Sequence, residues 1–278
     1  MHTYRVHRLF WAGLLAAFTG CNNLSPLSEK GAVITPAQLR VRGEVFRRRH
    51  ADGALQDDLK VSLSDKAGKP VSNERIGITV NGVRLAFYRG TTNYYVEYPY
   101  YQAPGDSLPI RGDTEYTFAL LLPDGTEHPI GSVRTQPEVT AGHFDPPAAH
   151  GWQQDLVLHW RNLETRSYLV NLWKKWQDEG SQTDLHVNHV FESTDEWGNV
   201  VSEEGSPNPE DYIDREDIGA GGGSLTIPAA YFRRGDRFAN AIEISFRSTE
   251  QRKAHAALMP GSYLRSERHV IRRIYLVP

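Results

Sequence analysis

The sequence IGITVNGVRLAF, residues 76–87, predicts the fold of this chain. Ile76, Ile78 and Val80 recur at every second position, which is the period of a strand with one buried face. Asn81-Gly82 follows, and an Asn-Gly pair between two alternating apolar runs is the strongest short-range signal for a β-hairpin. The segment therefore predicts two antiparallel strands joined by a two-residue turn, with a second strand over residues 83–87.

The sequence on both sides of this hairpin continues the same pattern. Leu39, Val41, Gly43 and Val45 alternate with charged residues, and turn residues such as Gly68-Lys69-Pro70 separate one run from the next. Further strands are predicted over residues 59–63, 94–101, 114–122 and 130–135. Short strands at this spacing are typical of a β-sandwich, so residues 37–137 are predicted to form one sandwich domain. The resemblance of residues 61–82 to bacterial Ig-like repeats implies that this domain is Ig-like.

The second half of the chain predicts another sandwich. The proline-rich segment at 136–150 has no sustained period and indicates a domain boundary. Strands are predicted over residues 155–160, 168–173 with a continuation to 176, 187–192, 224–228, 239–247 and 269–277. The predicted fold class is therefore all-β, with a second sandwich over residues 138–278. Its strand at residues 155–160, which ends in Trp160, resembles the early strand of fibronectin type III-like domains and implies a fibronectin type III-like sandwich.

Two short stretches resemble known β-sandwich families. Residues 61–82, VSLSDKAGKPVSNERIGITVNG, resemble the early strands of bacterial Ig-like repeats, and Gly112–Phe118, GDTEYTF, is similar to the fibronectin type III stretch in which a turn leads into a strand through a tyrosine. The resemblance implies that Tyr116 is a corner tyrosine, with a buried ring and a hydroxyl bonded to nearby backbone. A fold of this kind does not specify an activity.

The first 21 residues indicate an address and an anchor. Arg5 and Arg8 precede an apolar run from Leu9 to Phe18, which is too short to span a bilayer and is typical of a secretory signal over residues 1–20. Phe18-Thr19-Gly20-Cys21 resembles the lipobox of bacterial lipoproteins. That resemblance implies a lipid on Cys21, cleavage before it, and a cell-envelope location. In lipoproteins an Asp after the cysteine tends to retain the protein in the inner membrane, so Asn22 at this position favours the outer membrane. Residues 21–36 are then predicted to form a flexible tether.

Composition excludes some classes of function. Cys21 is the only cysteine, so the part after it contains no disulfide. The chain carries a net charge of −3, and loss of Arg5 and Arg8 with the signal leaves about −5. A mildly acidic chain lacks the basic surface that nucleic-acid binding requires. No cofactor motif is present: the Gly-rich run before Ser224 lacks the Lys-Ser/Thr of a phosphate-binding loop.

The aromatic strand YYVEYPYY, residues 94–101, supplies the candidate binding residues. Alternation places Tyr94, Tyr98 and Tyr100 on one face and Tyr95 and Tyr101 on the other. Flat rings on an exposed face suit a sugar or a protein partner, whereas the other face belongs to the core. The ligand-binding candidates are Tyr95, Tyr98 and Tyr101, and ordinary packing is the alternative.

Other motifs give weaker signals. Residues 203–217 contain seven carboxylates, enough oxygen for Ca²⁺ but without EF-hand spacing, followed by a glycine run that predicts a flexible loop. His186 and His189 fall on opposite faces of a strand, so no metal site is predicted. Arg111-Gly112-Asp113 matches an integrin-binding tripeptide, but a turn between strands explains it. No nucleophile elbow or catalytic cysteine is present.

The leading hypothesis is therefore a non-enzymatic binding or scaffolding module of the cell envelope, held to the membrane by lipid on Cys21. A surface adhesin or carbohydrate-binding module that uses the strand at residues 94–101 is the first alternative. A hydrolase with an unrecognised site is the second, and it requires a pocket lined by convergent polar groups.

Overall fold

A computed structural model describes residues 24–92, 96–105, 107–163, 168–177, 184–187, 192–194, 200–202, 216–218, 221–234 and 237–278. These residues form an all-β structure. Short 3₁₀ turns occur at Pro26–Ser28, Pro36–Gln38 and Ala229–Phe232. In the described part of the chain, no helix has the length and apolarity needed to cross a bilayer.

The strands of the first half form two facing sheets. They are β1 Arg40–Arg49, β2 Leu55–Ser64, β3 Gly77–Val80, β4 Val83–Arg84, β5 Ala86–Thr92, β6 Val96–Gln102, β7 Glu115–Leu121 and β8 Glu127–Arg134. One sheet has the order β4-β3-β7-β8, and the other contains β1-β2-β6-β5.

The strands of the second half continue the larger of these sheets. They are β9 Ala149–Gly151, β10 Leu156–Leu163, β11 Tyr168–Gln177, β12 Asp184–Val187, β13 Glu192–Thr194, β14 Val200–Ser202, β15 Glu216–Ile218, β16 Gly221–Ile227, β17 Arg233–Arg234, β18 Arg237–Phe238, β19 Ala241–Lys253 and β20 Tyr263–Val277. The large sheet has the order β12-β11-β19-β20-β1-β2-β6-β5, with β9 beside β20 and β15 beside β11. The hairpins β13-β14 and β17-β18 and the pair β10-β16 complete the described strands.

The predicted hairpin is present, but its second strand is shorter than expected. Asn81 and Gly82 have φ angles of 49° and 79°, the left-handed conformations that a tight hairpin turn of this kind requires. Only Val83 and Arg84 pair with β3, whereas Ala86 onwards pairs with β6 in the other sheet. Leu85 lies between them and is 4% exposed, so the chain crosses from one sheet to the other by burying this side chain.

The first core lies between the two sheets of the first half. Val41 and Val61 from one sheet and Ile78 and Phe118 from the other are all fully buried in it. Gly43 faces the same core, where a Cβ atom would lie 2.6 Å from Cδ2 of Leu264 and 3.3 Å from Cε1 of Phe118. Glycine is therefore required here because β1, β7 and β20 pack too closely for a larger side chain.

The second core lies between the β10-β16 pair and strands β19 and β20. Trp160 of β10 and Phe246 of β19 belong to it, and the Phe144 and Phe246 ring centroids lie 4.9 Å apart. The prediction that the glycine run at 219–223 is a flexible loop is wrong for Gly221–Gly223, which are part of β16. Gly223 is opposite Trp160, where a Cβ would lie 2.6 Å from the indole ring, so the glycine provides space for that ring.

The two cores share one continuous sheet, because β20 joins β1. Residues 42–49 of β1 pair in parallel with residues 263–270 of β20. Leu264 of β20 lies in the first core and Val270 in the second. Between them, Ser266 accepts a 2.8 Å hydrogen bond from the Gln136 amide and donates one to Arg134 O, also 2.8 Å. The division at residue 137 remains a prediction about folding units, and this junction is where they would meet.

Candidate functional site: an aromatic and charged face of the large sheet

Strand alternation gives the large sheet a polar face directed away from the two cores. In β1 this face carries Arg42, Glu44, Phe46 and Arg48, while Val41, Gly43 and Val45 point to the first core. We call it the outer face. The pairing register extends the outer face across the neighbouring strands, since Glu44 is opposite Lys60 in β2 and beside Arg265 in β20. Residues distant in sequence are thereby brought into one surface.

Three tyrosines lie together at one end of the outer face, and we call Tyr88, Tyr98 and Tyr100 the tyrosine cluster. Tyr88 and Tyr100 are opposite each other in β5 and β6, with ring centroids 5.4 Å apart and an interplanar angle of 17°. The Tyr98 and Tyr100 centroids are 6.4 Å apart. Gly90 is opposite Tyr98, and a Cβ there would lie 3.1 Å from Cε1 of Tyr100, so the glycine makes room for the rings.

The tyrosine cluster is accessible at its edge. Tyr88 is 40% exposed, whereas Tyr98 and Tyr100 are half-buried. Lys60 Nζ lies 5.6 Å from the Tyr100 ring centroid, so Tyr100 lies between a second ring and an ammonium group. The Tyr88 ring lies on the edge strand of the sheet and is therefore the ring of the tyrosine cluster that is most accessible to a ligand.

The candidate tyrosines are placed differently by the structure. Tyr98 lies on the outer face with Tyr100, as the alternation indicates. Tyr101 is 2% exposed, packs against Phe87 at 5.2 Å between ring centroids, and donates a 3.2 Å hydrogen bond to Asn73 O. The prediction that Tyr101 contacts a ligand is therefore wrong, because its face of β6 is the core face; burial also raises its pKa. Tyr95 lies outside the described residues.

A groove of about 260 Å³ adjoins the tyrosine cluster on the outer face. We call this the groove, and the residues that line it include three cations and three carboxylates: Glu44, Val45, Phe46, Asp58, Lys60, Arg247, Arg265 and Glu267. Lys60 Nζ lies 2.7 Å from a carboxylate oxygen of Asp58. Because Lys60 also contacts Tyr100, it connects the groove to the aromatic rings.

Glu267 forms the ionic centre of the groove. Its carboxylate accepts hydrogen bonds from Arg265, from Arg247 at 2.8 Å, and from His269 at 2.5 Å. Burial alone would raise its pKa, but the hydrogen bond from His269 and the charges of Arg247 and Arg265 lower the pKa of Glu267 to about 2. Burial lowers the pKa of His269, and the hydrogen bond to Glu267 offsets this effect only in part.

Glu44 also lines the groove, but its pKa moves in the opposite direction from that of Glu267. Its side chain is exposed along part of its length, but the groove walls displace water near the carboxylate. This desolvation raises the pKa of Glu44, and the nearby Arg265 only partly offsets the effect. Unlike Glu267, it accepts no hydrogen bond from another described residue, which leaves its oxygens available to a ligand hydroxyl.

The remaining sequence candidates fall outside this face or outside the described residues. The Tyr116 ring is 1% exposed, and its hydroxyl accepts from Arg111 N at 2.8 Å and donates to Pro109 O at 3.0 Å, which confirms the corner-tyrosine prediction. Arg111-Gly112-Asp113 lies in a turn, with Asp113 bonded to Arg134 at 2.7 Å. Cys21 and most of the acidic segment at 203–217 are not described. Across the described residues, no group of three potential ligands could hold a metal ion.

Local sequence patterns indicate few of the residues that matter most on this face. Tyr88 could have been found, because the alternation through Leu85 and Phe87 places it on the opposite face from the core. Lys60, Arg265 and Glu267 could not, because only the long-range pairing of β1 with β2 and β20 brings them together. Chemically, the tyrosine cluster and the groove together offer aromatic ring faces and several hydrogen-bond donors and acceptors within one shallow surface.

Comparison with known proteins adds little to this geometry. No family model matches the chain, and no curated protein matches it. Among solved structures it is similar to the Bacteroides ovatus mixed-linkage glucan utilization locus SGBP-B in complex with a mixed-linkage heptasaccharide. The match has 12% identity, covers 80% of this chain and 53% of that chain, and has a TM-score of 0.18. This chain therefore spans about half the length of its neighbour, and at that TM-score the likeness supports no argument about function.

Proposed function

We propose that this chain is a non-enzymatic binding protein of the bacterial cell envelope that recognises carbohydrate on the outer face of its large sheet. The observation that supports the proposal is the tyrosine cluster beside the groove, joined to it by Lys60. Sugars present apolar ring faces and polar hydroxyls together. Aromatic side chains pack against the apolar ring faces, and hydrogen-bonding side chains bind the hydroxyls.

Attachment to the membrane is part of the same proposal. The lipobox-like sequence that ends at Cys21 supports lipidation of that cysteine, and several acyl chains, each contributing about 0.8 kcal/mol per buried CH₂, give a stable anchor. Residues 21–36 then connect the lipid to β1, but the prediction that they are a flexible tether is wrong for residues 24–36. Ile34 is buried in the first core, and Ser25 N donates a 2.8 Å hydrogen bond to Pro70 O. A glycan-binding face held at a bacterial surface, with the outer membrane favoured by Asn22, would concentrate polysaccharide near the cell.

A glycan array tests the binding proposal. The chain from residue 22 onwards is applied as wild type, as Tyr88→Ala, and as Tyr275→Ala. Tyr275 is the matched control because it is 55% exposed on a different part of the same sheet. We expect binding to at least one glycan, weakened by Tyr88→Ala and unchanged by Tyr275→Ala. Equal binding by all three proteins would exclude the tyrosine cluster, and no binding to any glycan would contradict the proposal.

A hydrolase is the second candidate, and one observation favours it. Glu44 and Glu267 lie in the same groove with pKa values moved in opposite directions, and glycoside hydrolases use a pair of carboxylates with different roles. Glu267, however, is bound by His269 and two arginines, which makes it a weak base and a hindered nucleophile. Release of reducing sugar that Glu44→Gln abolishes would establish this alternative in place of binding.

A further inference from the structure

The charge balance of the groove differs from that of the chain as a whole. The residues that line it carry three cations, Lys60, Arg247 and Arg265, and three carboxylates, Glu44, Asp58 and Glu267. Two further arginines of β1 interact electrostatically with these groups and add two positive charges: Arg42 with Glu44, and Arg48 with Glu267 and Arg247. The whole chain has a net charge of −3. Positive charge is therefore concentrated on this one face, which attracts anions from solution.

Arg48 is the cation that the groove compensates least. It lies over the Phe46 ring at 5.1 Å, and its Nε atom is buried without a hydrogen-bond partner among the described residues. Desolvation lowers the pKa of Arg48, and the attraction of Glu267 is opposed by repulsion from Arg247. Glu267 already receives two arginines and a histidine, so it does not satisfy Arg48 as well.

Arg247 and Arg265 also have unused donors. Both bond to Glu267, but the Nε atom of each is buried and has no partner in the described structure. A planar guanidinium offers two parallel donors to a carboxylate, and such charge-assisted bonds are stronger in a partly buried site. A carboxylate entering the groove would meet donors from more than one arginine.

We propose that the groove selects an acidic glycan, in which a uronic acid unit places its carboxylate beside Arg48 and Arg247 while a neighbouring sugar contacts the tyrosine cluster. This inference rests on the proposed carbohydrate-binding function and specifies the class of ligand. Lys60 lies where the two subsites meet, because it both lines the groove and contacts the Tyr100 ring.

Affinity gel electrophoresis with paired polysaccharides tests the charge requirement. Polygalacturonate, alginate and glucuronoxylan are each compared with a carboxyl-reduced form of the same polymer, which keeps the chain and removes the charge. We expect at least one acidic polymer to retard the protein and its reduced form to retard it at least tenfold less, an effect that added salt should also produce. Equal retardation by reduced polymers would overturn the acidic-glycan inference but leave carbohydrate binding intact. If neither the acidic polymers nor their reduced forms retard the protein, both the acidic-glycan inference and the proposed carbohydrate binding are overturned.

Matched variants test the residues. Arg48→Gln should weaken binding to the acidic polymer about tenfold, as expected for the loss of a charge-assisted hydrogen bond. Arg252→Gln removes the same charge from β19 at a side chain that is half exposed and pairs with Glu250, and it should have no effect. Arg48 makes no ion pair with another described residue that its replacement would break, and a thermal melt of each variant verifies the fold. Undiminished binding by folded Arg48→Gln would contradict the assignment.

Discussion

Glu267→Gln is predicted to destabilise the chain in a pH-dependent way. The carboxylate has a pKa of about 2 in the folded chain, against an ordinary value of 4.5, and its side chain is only 14% exposed. The difference corresponds to about 3 kcal/mol of stabilisation by the ionised carboxylate. Because its folded pKa is lowered, this contribution is fully present above pH 4.5 and is lost as the pH falls towards 2.

The glutamine variant lacks the titrating group, so the difference between the two proteins isolates it. At pH 7 we expect the free energy of unfolding to be about 3 kcal/mol lower in Glu267→Gln, because Arg247 and Arg265 lose their counter-charge. At pH 3 about 2 kcal/mol of that difference should have disappeared through protonation of wild-type Glu267. Titration of carboxylates distant from Glu267 largely cancels in the subtraction. That of His269 does not cancel, because the Glu267 carboxylate raises its pKa, so the same pair of proteins is also compared in a His269→Phe background.

Urea denaturation at pH 7, 5, 4 and 3 gives the required free energies for both proteins. Glu243→Gln is the control, since Glu243 also pairs with an arginine of β20, Arg273, but outside the groove. A difference between wild type and Glu267→Gln that stays constant from pH 7 to pH 3 would refute the reasoning, because it would mean that Glu267 titrates normally in the folded chain.

Three further changes test the fold and the anchor. Gly43→Ala should lower the free energy of unfolding by about 1–3 kcal/mol, because its Cβ would overlap Leu264. Gly151→Ala is the control, since its Cβ would have no atom closer than 3.9 Å. Equal urea midpoints for the two variants would contradict the close packing of Leu264 against Gly43. Tyr116→Phe should cost about 1 kcal/mol through loss of the bonds to Pro109 O and Arg111 N, measured in the same way, and no loss would mean that the corner hydroxyl is dispensable. Cys21→Ser should abolish palmitate labelling and leave the chain uncleaved in bacterial membranes; normal processing and labelling would remove the lipid anchor from the proposal.

Local patterns predicted much of the fold. The alternation in β1, β2, β3 and β7 and the Asn81-Gly82 turn arise from interactions within a few residues, so the sequence displays them directly. The tyrosine corner at Tyr116 is likewise a local contact, made with residues five and seven positions earlier.

The groove was not predictable in the same way. Pairing of β1 with β20 joins residues more than 200 positions apart, and no local pattern encodes which strand lies beside which. Alternation divided the tyrosines of β6 correctly into two faces. It did not indicate which face is buried, so the prediction that Tyr101 binds a ligand is wrong. Glycine gave a misleading signal in β16, where Gly223 accommodates the Trp160 ring instead of loosening the chain.

A crystal structure of the chain with an oligosaccharide from the polymer that it binds best would test the proposed site most directly. We predict sugar density in contact with Tyr88, with a carboxylate hydrogen-bonded to Arg48 or Arg247 in the groove. Sugar bound only at the β10-β16 pair or on the four-stranded sheet, with the groove empty at saturating ligand, would contradict it.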